Sequence, residues 1–280
     1  MAVNNTTTGA NLIPTQVAKM LVEPLQAESI VLNSGVQIFD SSAPLKIPRI
    51  TGTFDAEFVG ESELIPDGGA ANFGELALMP TTRKGIKSII RITNELARTA
   101  DTNVSSVLQN KLVDDVRRKL DDALLAGDGA DDTITGILNQ PEIEHAPLNV
   151  ADADTILDAM ATLQANEVTP TKLFINGADF MTIRKLKDTA GRYLLQSDLA
   201  SDAPHKLHGV PVVVTNKMPA GTAILGDMKS IAVVRDIDPQ ITILNERYAE
   251  YDETGIRVVT RYDLGVIRPE GVLILDGAGE

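Results

Sequence analysis

Few side chains in this sequence have the types and spacing that chemistry requires. The three histidines are His145, His205 and His208. His205 and His208 are three residues apart, which in a helical turn would place two imidazoles side by side, as zinc sites require. Pro204 and Gly209 bracket the pair, and no cluster of acidic ligands follows. We therefore interpret the segment as a surface loop.

An acidic, glycine-rich segment spans residues 127–132, with the sequence Gly-Asp-Gly-Ala-Asp-Asp. Carboxylate oxygens on a flexible loop are the ligands that calcium prefers. The segment lacks the twelve-residue calcium-loop pattern, because no glutamate stands at the closing position. A helix end followed by a turn explains it without a ligand.

The sequence contains none of the motifs that usually accompany catalysis. No glycine-rich nucleotide-binding motif and no G-x-S-x-G nucleophile elbow occurs. The absence of cysteine removes disulfides, thiolate-bound zinc, iron–sulfur clusters and thiol nucleophiles. With 39 acidic residues, neighbouring carboxylates carry no evidence of acid–base catalysis. We predict that the protein is not an enzyme and has no cofactor and no metal site.

Composition points to an ordinary globular chain. Its 280 residues carry 25 basic and 39 acidic side chains, a net charge of −14. Hydrophobic residues make up 43%, which excludes disorder of the whole chain, and aromatic residues only 4%, which argues against a stacking platform for single-stranded nucleic acid. The acidic charge argues against tight wrapping of nucleic acid. No signal peptide and no membrane-spanning stretch is predicted.

The elements begin with a polar arm and a short helix over residues 1–45. Residues 46–92 then read as a long two-stranded ribbon, with strand alternation around Phe54 and again from Ile86, and a turn signal at 66–69. A two-stranded ribbon is marginally stable alone in water. It must therefore lie on its own body or on a neighbouring subunit.

Charges are segregated along this ribbon, acidic on the tip and outward limb and basic on the returning limb. Two interpretations stay open: pairing across the strands, or contact with another copy of the chain. The candidates for inter-subunit contact are Glu57, Glu61, Glu63, Asp67, Glu75, Arg83, Lys84, Lys87 and Arg91.

One long helix and a compact α/β module complete the chain. Apolar residues at helical spacing predict a helix over 101–125; they are Val104, Val107, Leu108, Leu112, Val116, Leu120 and Leu124. Residues 149–240 alternate helices and short strands, including 172–175, 210–214, 223–225 and 231–234. Asn176 and Asp179 resemble a capping box. Further strands are predicted at 241–248, 256–263 and 272–275.

Several segments, in this order, resemble the major capsid proteins of tailed bacteriophages, which have the Hong Kong 97 fold. They are 56–61 (Ala-Glu-Phe-Val-Gly-Glu), 90–97 leading into the long helix, 121–129 at its end, 136–139 (Gly-Ile-Leu-Asn) and Arg268-Pro269. No single piece is specific, but the ordered set spans most of the chain.

The resemblance implies an α+β, Hong Kong 97-like architecture. Residues 1–45 would form the N-terminal arm with a short helix, and 46–92 the extended loop, a β-hairpin. Residues 93–148 and 241–280 would form the peripheral domain with its spine helix, and 149–240 the axial domain.

The implied function is a structural one: self-assembly of the icosahedral head shell around double-stranded DNA. Expected partners are further copies in pentamers and hexamers, a separate scaffolding protein, a portal, a decoration protein and loosely held DNA, with no membrane. The protein would lie in the virion after assembly in the host bacterial cytoplasm. An encapsulin-like nanocompartment shell is the alternative, and a cytosolic α/β enzyme the remote one.

Overall fold

The computed structural model describes residues 29–51, 58–61, 72–95, 103–152, 154–187, 205–244 and 246–277. The strands are β1 (Gln37–Asp40), β2 (Leu45–Thr51), β3 (Asn72–Leu78), β4 (Ile86–Thr93), β5 (Glu144–Pro147), β6 (Lys172–Ile175), β7 (Lys206–Leu207), β8 (Val210–Val214), β9 (Thr222–Gly226), β10 (Ile231–Leu244), β11 (Glu253–Val266) and β12 (Val272–Asp276). The helices are α1 (Asn103–Ala126), α2 (Asp154–Ala165) and α3 (Gly177–Arg184).

These strands form two sheets and a hairpin. One sheet has four strands in the order β1-β10-β11-β4, and the other six in the order β5-β12-β9-β6-β8-β7. β2 and β3 pair with each other as an antiparallel hairpin. Helix α1 packs in a core that joins one face of each sheet, while α2 and α3 cover the opposite face of the six-stranded sheet.

Helix α1 confirms the long helix that the apolar spacing predicts. Leu112, Val116, Leu120 and Leu124 are all at most 4% exposed. The side chains of Val104, Val107 and Leu108 lie outside the described part. At 1.5 Å per residue, 24 residues make a rod of about 36 Å.

The Gly-Ile-Leu-Asn segment closes the end of this helix. A Cβ on Gly136 would lie 2.5 Å from the backbone nitrogen of Gly127, so the chain returns across the helix end by a backbone contact that only glycine permits. Ile137 is fully buried in the core. The Asn139 Nδ2 donates to the carbonyl oxygens of Ala126 (3.3 Å) and Gly127 (2.8 Å), which caps the helix C-terminus.

Truncating Leu124 to alanine should destabilise the subunit strongly, because its side chain is fully buried. We expect the free energy of unfolding to fall by about 2–5 kcal/mol, the usual cost of a large-to-small change in a packed core. Urea unfolding followed by circular dichroism measures it. Lys119→Ala, an exposed change on the same helix, should cost less than about 0.5 kcal/mol; equal losses would contradict the packing described here.

β10 corrects the prediction of separate strands at 231–234 and 241–248. The structure has one strand over Ile231–Leu244, paired with β11 along its length, and it ends before residue 248. The register shifts between Arg235 and Gln240, so Pro239 stands at an irregularity without a paired partner. A proline there costs no ladder hydrogen bond, so one irregular strand runs through both predicted segments.

The six-stranded sheet confirms the strands predicted at 172–175, 210–214, 223–225 and 272–275, each to within one residue. The capping box is confirmed only in part. The Asn176 side chain accepts from the Ala178 backbone N–H at 2.9 Å. Asp179 instead accepts from the Gly221 N–H at 2.7 Å, so it ties α3 to the turn before β9.

The sheet to which each strand belongs can be compared with the expected boundary between the peripheral and axial domains. The boundary expected between residues 240 and 241 falls inside β10, which belongs wholly to the four-stranded sheet. β12 near the C-terminus lies in the six-stranded sheet, between β5 and β9. The chain therefore passes between the sheets at about residues 227–230 and again at 267–271.

Candidate subunit interface

The hairpin lies over the outer face of the four-stranded sheet. Its base is held by a small apolar cluster in which Leu78 and Met79 contact Ala232 and Val234, all nearly fully buried. Between β2 and β3, only Phe58–Glu61 belong to the described part, and Phe58 is fully exposed. The acidic connection thus starts from a fixed base.

Of the acidic candidates for inter-subunit contact, the structure describes Glu61 and Glu75. Glu57, Glu63 and Asp67 lie outside the described part. Glu61 is exposed. Glu75, on β3, lies 2.8 Å from the Lys46 Nζ on β2, and both side chains are about 60% exposed.

The basic candidates are not on the returning strand of the hairpin, which corrects the ribbon predicted over 46–92. Arg83 and Lys84 lie in the turn after β3, and Lys87 and Arg91 on β4. β4 pairs with β11, with Lys87 opposite Val259 and Arg91 opposite Gly255. Its alternate residues, including Ile86 and Ile90, pack on the core around α1, and this burial sets its register.

A buried carboxylate fixes the turn between β3 and β4. Asp263 on β11 is 1% exposed and accepts from the Met79 backbone N–H at 2.6 Å. Arg83 lies 3.0 Å from the same carboxylate and also donates to the Thr133 carbonyl oxygen. Met79 has a φ of 57°, a left-handed conformation that costs a non-glycine residue energy unless its surroundings hold it. Arg83 is therefore engaged within its own subunit.

Three further hydrogen bonds hold the same turn. Arg261 donates to the carbonyl oxygens of Arg83 (2.7 Å) and Thr81 (2.8 Å), and pairs with Asp236 at 2.8 Å. The loop after α1 contributes the Asp132 carbonyl oxygen, which accepts from the Lys84 N–H at 3.0 Å. The hairpin base is thus fastened to both β11 and the end of the long helix.

Arg49 on β2 forms a bidentate ion pair with Glu142. Its two terminal nitrogens lie 2.5 and 2.8 Å from the two carboxylate oxygens. The hydrogen bond from Arg49, reinforced by its charge, lowers the pKa of Glu142 below 4.5 although partial burial opposes the shift, and the same pair raises the pKa of Arg49. This ion pair links the hairpin to the loop before β5.

Replacing Glu142 by glutamine should weaken the subunit only where the carboxylate is ionised. The pKa of Glu142 is lower in the folded chain, so its contribution is complete above the ordinary value of 4.5 and is lost as pH falls through the lowered one. Glu142 is 45% exposed, and we expect a loss of about 1 kcal/mol at pH 7. Urea unfolding at pH 7 and pH 3 measures it. A loss of equal size at pH 3, or in the exposed control Glu144→Gln, would contradict the ion pair's role.

Basic side chains are exposed on the outer face of the four-stranded sheet, beyond the hairpin. Lys87 and Arg257 are exposed, and within the described chain neither forms an ion pair. Arg91 is 60% exposed and lies 3.7 Å from Glu253, and Ile89 between the charges is 45% exposed. We call Lys87, Ile89, Arg91 and Arg257 the basic sheet face.

An aromatic side chain adjoins this face. A Cβ on Gly255 would lie 2.7 Å from the Tyr248 ring, which shows that the ring packs directly on the strand. The guanidinium groups of Arg91 and Arg247 lie 5.4 and 5.7 Å from the ring centre, within cation–π range. Arg257, Tyr248 and Arg247 are not among the contact residues predicted from the sequence. The alternation of basic with apolar residues in 256–261 was the available signal for the first of them.

Within the described part of the chain, the histidines and the acidic loop do not come together in one site. His145 pairs with Asp276 at 2.8 Å on the sheet surface, and His205 contacts the Phe180 ring. Asp128 accepts the Ala130 N–H within its own turn. In the described ranges no three metal-ligating side chains converge. No helix in those ranges has the length and apolarity needed to cross a membrane.

Known proteins share the sequence pattern and the fold of this chain. The sequence profile of the Phage capsid family matches residues 9–277. The chain belongs to the phage capsid family. Two curated relatives, both named Major capsid protein, come from Klebsiella oxytoca phage phiKO2 and Enterobacteria phage HK97, and each is 23% identical. The alignments cover 96% and 79% of this chain, but 68% and 57% of those two relatives.

Solved structures show the same fold. The "Capsid of native GTA particle" matches with a TM-score of 0.73 at 17% identity, covering 99% of this chain and 100% of that one. Chains from Microbacterium phage Oxtober96 and Mycobacterium phage Adephagia match at 0.70 and 0.69, with 14% and 15% identity. These cover 89% and 90% of this chain, and 91% of each of those. The Hong Kong 97-like, α+β fold expected of this phage capsid protein is thereby confirmed.

Proposed function

We propose that this phage capsid protein assembles into the icosahedral head shell of a tailed bacteriophage and encloses its double-stranded DNA genome. The observation that carries the proposal is the pair of complementary surfaces on one subunit. The connection between β2 and β3 is acidic in sequence and its described residues Phe58 and Glu61 are exposed, as are the side chains of the basic sheet face on the same chain. Another copy would supply the counter-charges that Lys87 and Arg257 do not meet within the described residues.

The charges of the two surfaces are opposite. Residues 52–71, between β2 and β3, contain five acidic side chains and no lysine, arginine or histidine. The acids are Asp55, Glu57, Glu61, Glu63 and Asp67. Lys84, Lys87, Arg91 and Arg257 would receive them on a neighbouring copy, and such complementarity sets orientation and partner choice. Glu75 and Arg83, which already have partners in their own subunit, would contribute less.

Shell formation suits contacts of this kind. Solvent-accessible charge pairs contribute little individually and are screened by salt. A closed shell repeats each contact many times, so modest pairwise energies produce a stable assembly. The base of the hairpin is held within its own subunit by Asp263, Arg261 and the Arg49–Glu142 pair, so the connection would be presented from a fixed position.

Within this proposal the two sheets would correspond to two structural domains. The four-stranded sheet with α1 would be the peripheral domain, and the six-stranded sheet with α2 and α3 the axial domain around the shell's symmetry axes. The division would follow sheet membership, near residues 227–230 and 267–271, rather than the boundary at 240.

Further partners follow from the same proposal. The subunits would form pentamers and hexamers, with a separate scaffolding protein, a portal and a decoration protein, and would touch packaged DNA loosely. Assembly would take place in the host bacterial cytoplasm, before the shell becomes part of the virion. The role is structural and not enzymatic.

A nanocompartment shell around cargo enzymes is the second candidate, since an encapsulin would share the fold. The two curated relatives are both named as phage major capsid proteins, which favours the first. Sedimentation of particles from a lysate of infected cells through a sucrose gradient, followed by nuclease digestion of the heavy fractions, tests the proposal. Heavy particles from infected cells should contain protected DNA; particles that contain cargo protein and no DNA would favour the nanocompartment.

A further inference from the structure

A second basic surface lies where the end of α3 meets the hairpin of β7 and β8. Its members are Arg184 and Lys185 at the end of α3, and His205, Lys206 and His208 on and beside β7. The arginine is partly buried, and the other four side chains are exposed. We call these five residues the α3–β7 basic surface.

The Phe180 ring holds the two parts of this surface together. The Arg184 guanidinium lies 5.8 Å from the centre of the ring, and the His205 ring lies 5.3 Å from it, centre to centre. Phe180 and Leu207 are both buried in the apolar core between the six-stranded sheet and its helices. The turn between β7 and β8 begins at His208, which has a φ of 48°. The basic side chains are therefore carried by a packed base.

Carboxylates do not neutralise this surface within the described ranges, where none of its five members forms an ion pair. Asp179, the acid on α3, is nearly buried and accepts from the Gly221 N–H at 2.7 Å, in the turn before β9. In the sequence, residues 184–208 as a whole contain five lysines and arginines against three aspartates. Since the net charge of the chain is −14, this segment is a local excess of positive charge on an acidic protein.

Helix capping explains only part of this surface. Basic side chains near the C-terminal end of a helix offset its dipole, which accounts for Arg184 and Lys185. The three basic residues of the β7 segment stand at no helix end, and they bring further positive charge and imidazole donors to the same place. The juxtaposition of the two segments therefore indicates an anionic partner.

The chemistry of the surface fits the phosphate backbone of double-stranded DNA. DNA carries about one negative charge per 1.7 Å of helix axis, so several basic groups in a small area meet several phosphates at once. Lysine, arginine and histidine side chains donate to phosphate oxygens without reading the base sequence. The nearby aromatic ring, Phe180, is buried and offers no platform for unpaired bases.

We propose that the α3–β7 basic surface contacts the phosphate backbone of the packaged double-stranded DNA. This inference rests on the proposed shell function and assigns its loose contact with DNA to named residues. The contact would be independent of base sequence. It would be weak in one subunit, because the rest of the chain is acidic, and it would be repeated by every copy around the genome.

Binding of the purified full chain to a short fluorescent DNA duplex, followed by anisotropy over a series of salt concentrations, tests the contact. Lys185→Gln/Lys206→Gln should weaken binding to AT-rich and GC-rich duplexes alike. It should also reduce the slope of log binding constant against log salt by about 2, since each lysine–phosphate contact contributes about 1. The matched control, Lys119→Gln/Lys229→Gln, removes the same charge at two exposed positions elsewhere and should leave the slope unchanged.

The outcomes separate this inference from the proposed function. Equal losses in the two double variants would attribute binding to net charge and overturn the inference, as would a wild-type protein that binds no duplex at low salt. Electron microscopy should show shells for the wild type and both variants. Loss of shells in the Lys185/Lys206 variant alone would show that the surface meets another copy, and would overturn the DNA contact. Absence of shells from all three would overturn the proposed function and the inference with it.

DNA-filled particles from infected cells test the contact in the assembled state. Formaldehyde joins a lysine amine to an adjacent base amine, and digestion with nuclease and protease leaves peptides that carry nucleotides, which mass spectrometry identifies. Peptides with Lys185 or Lys206 should carry nucleotides more often than peptides with Lys119 or Lys229. An even distribution over the four lysines, or no nucleotide on the first two, would overturn the inference.

Discussion

Replacing Asp263 by alanine is expected to lower the free energy of unfolding by about 3–5 kcal/mol, the usual cost of removing one partner from a buried ion pair. The carboxylate is 1% exposed, and it satisfies both the Met79 N–H and the Arg83 guanidinium. Its loss would leave a mostly buried positive charge without a counter-charge. It would also release Met79 from a left-handed conformation. Urea unfolding at pH 7 measures the change.

Two matched variants show whether the effect comes from this site. Asp263→Asn keeps an acceptor for the Met79 N–H but removes the charge that faces Arg83, so its loss should be intermediate. Glu75→Gln removes the exposed Lys46–Glu75 pair on the same hairpin and should cost about 0–1 kcal/mol. If Asp263→Ala costs no more than Glu75→Gln, the buried carboxylate does not fix the hairpin base.

Reversing the charge of the basic sheet face should prevent assembly while the subunit stays folded. Lys87→Glu/Arg257→Glu changes two exposed side chains whose strand pairing is made by backbone groups. On the neighbouring copy the acidic connection would then meet like charge, and we expect the assembled fraction to fall by at least about tenfold. Light scattering at low and moderate salt measures assembly, and circular dichroism checks the fold.

The charge change itself needs a control of equal size. Lys119→Glu/Lys229→Glu makes the chain more acidic by the same amount at exposed positions away from the basic sheet face. It should retain most of its assembly. Restoration of assembly when the Lys87/Arg257 variant also carries Glu61→Lys and Glu63→Lys would locate the contact. Equal loss in both double variants would attribute the effect to net charge and reject the proposed interface.

The parts of the fold with strong local patterns were predictable from sequence. The stripe of Leu112, Leu120 and Leu124 has the period of a helix buried on one side, and it defined α1 to within two residues at either end. The short apolar strands of the six-stranded sheet were equally clear, because runs such as 172–175 are buried on both faces.

Strand partners were not predictable, because pairing is a property of distant residues. Alternation in 86–92 shows that β4 is a strand with one buried face, but nothing local indicates that this face meets α1 and that the edge pairs with β11. The continuity of β10 through Pro239 was not predictable either, because a proline is tolerated inside a strand only at an edge or an irregularity, which depends on the pairing with β11.

The sequence predicted which charged residues belong to the candidate interface, but it did not predict which of them already have partners within the subunit. The segregated acids and bases are visible in the sequence. Only the tertiary fold distinguishes Arg83 from Lys87. Arg83 pairs with Asp263, 180 residues later in the sequence, whereas Lys87 has no partner in the described chain.

Negative-stain electron microscopy of the purified protein, together with its mass from light scattering, shows whether the chain forms shells. We expect closed icosahedral shells, or rings of five and six subunits, with masses that are multiples of 30.0 kDa. A uniform dimer or tetramer that forms nothing larger at high concentration, including after co-expression with a candidate scaffolding protein, would contradict it.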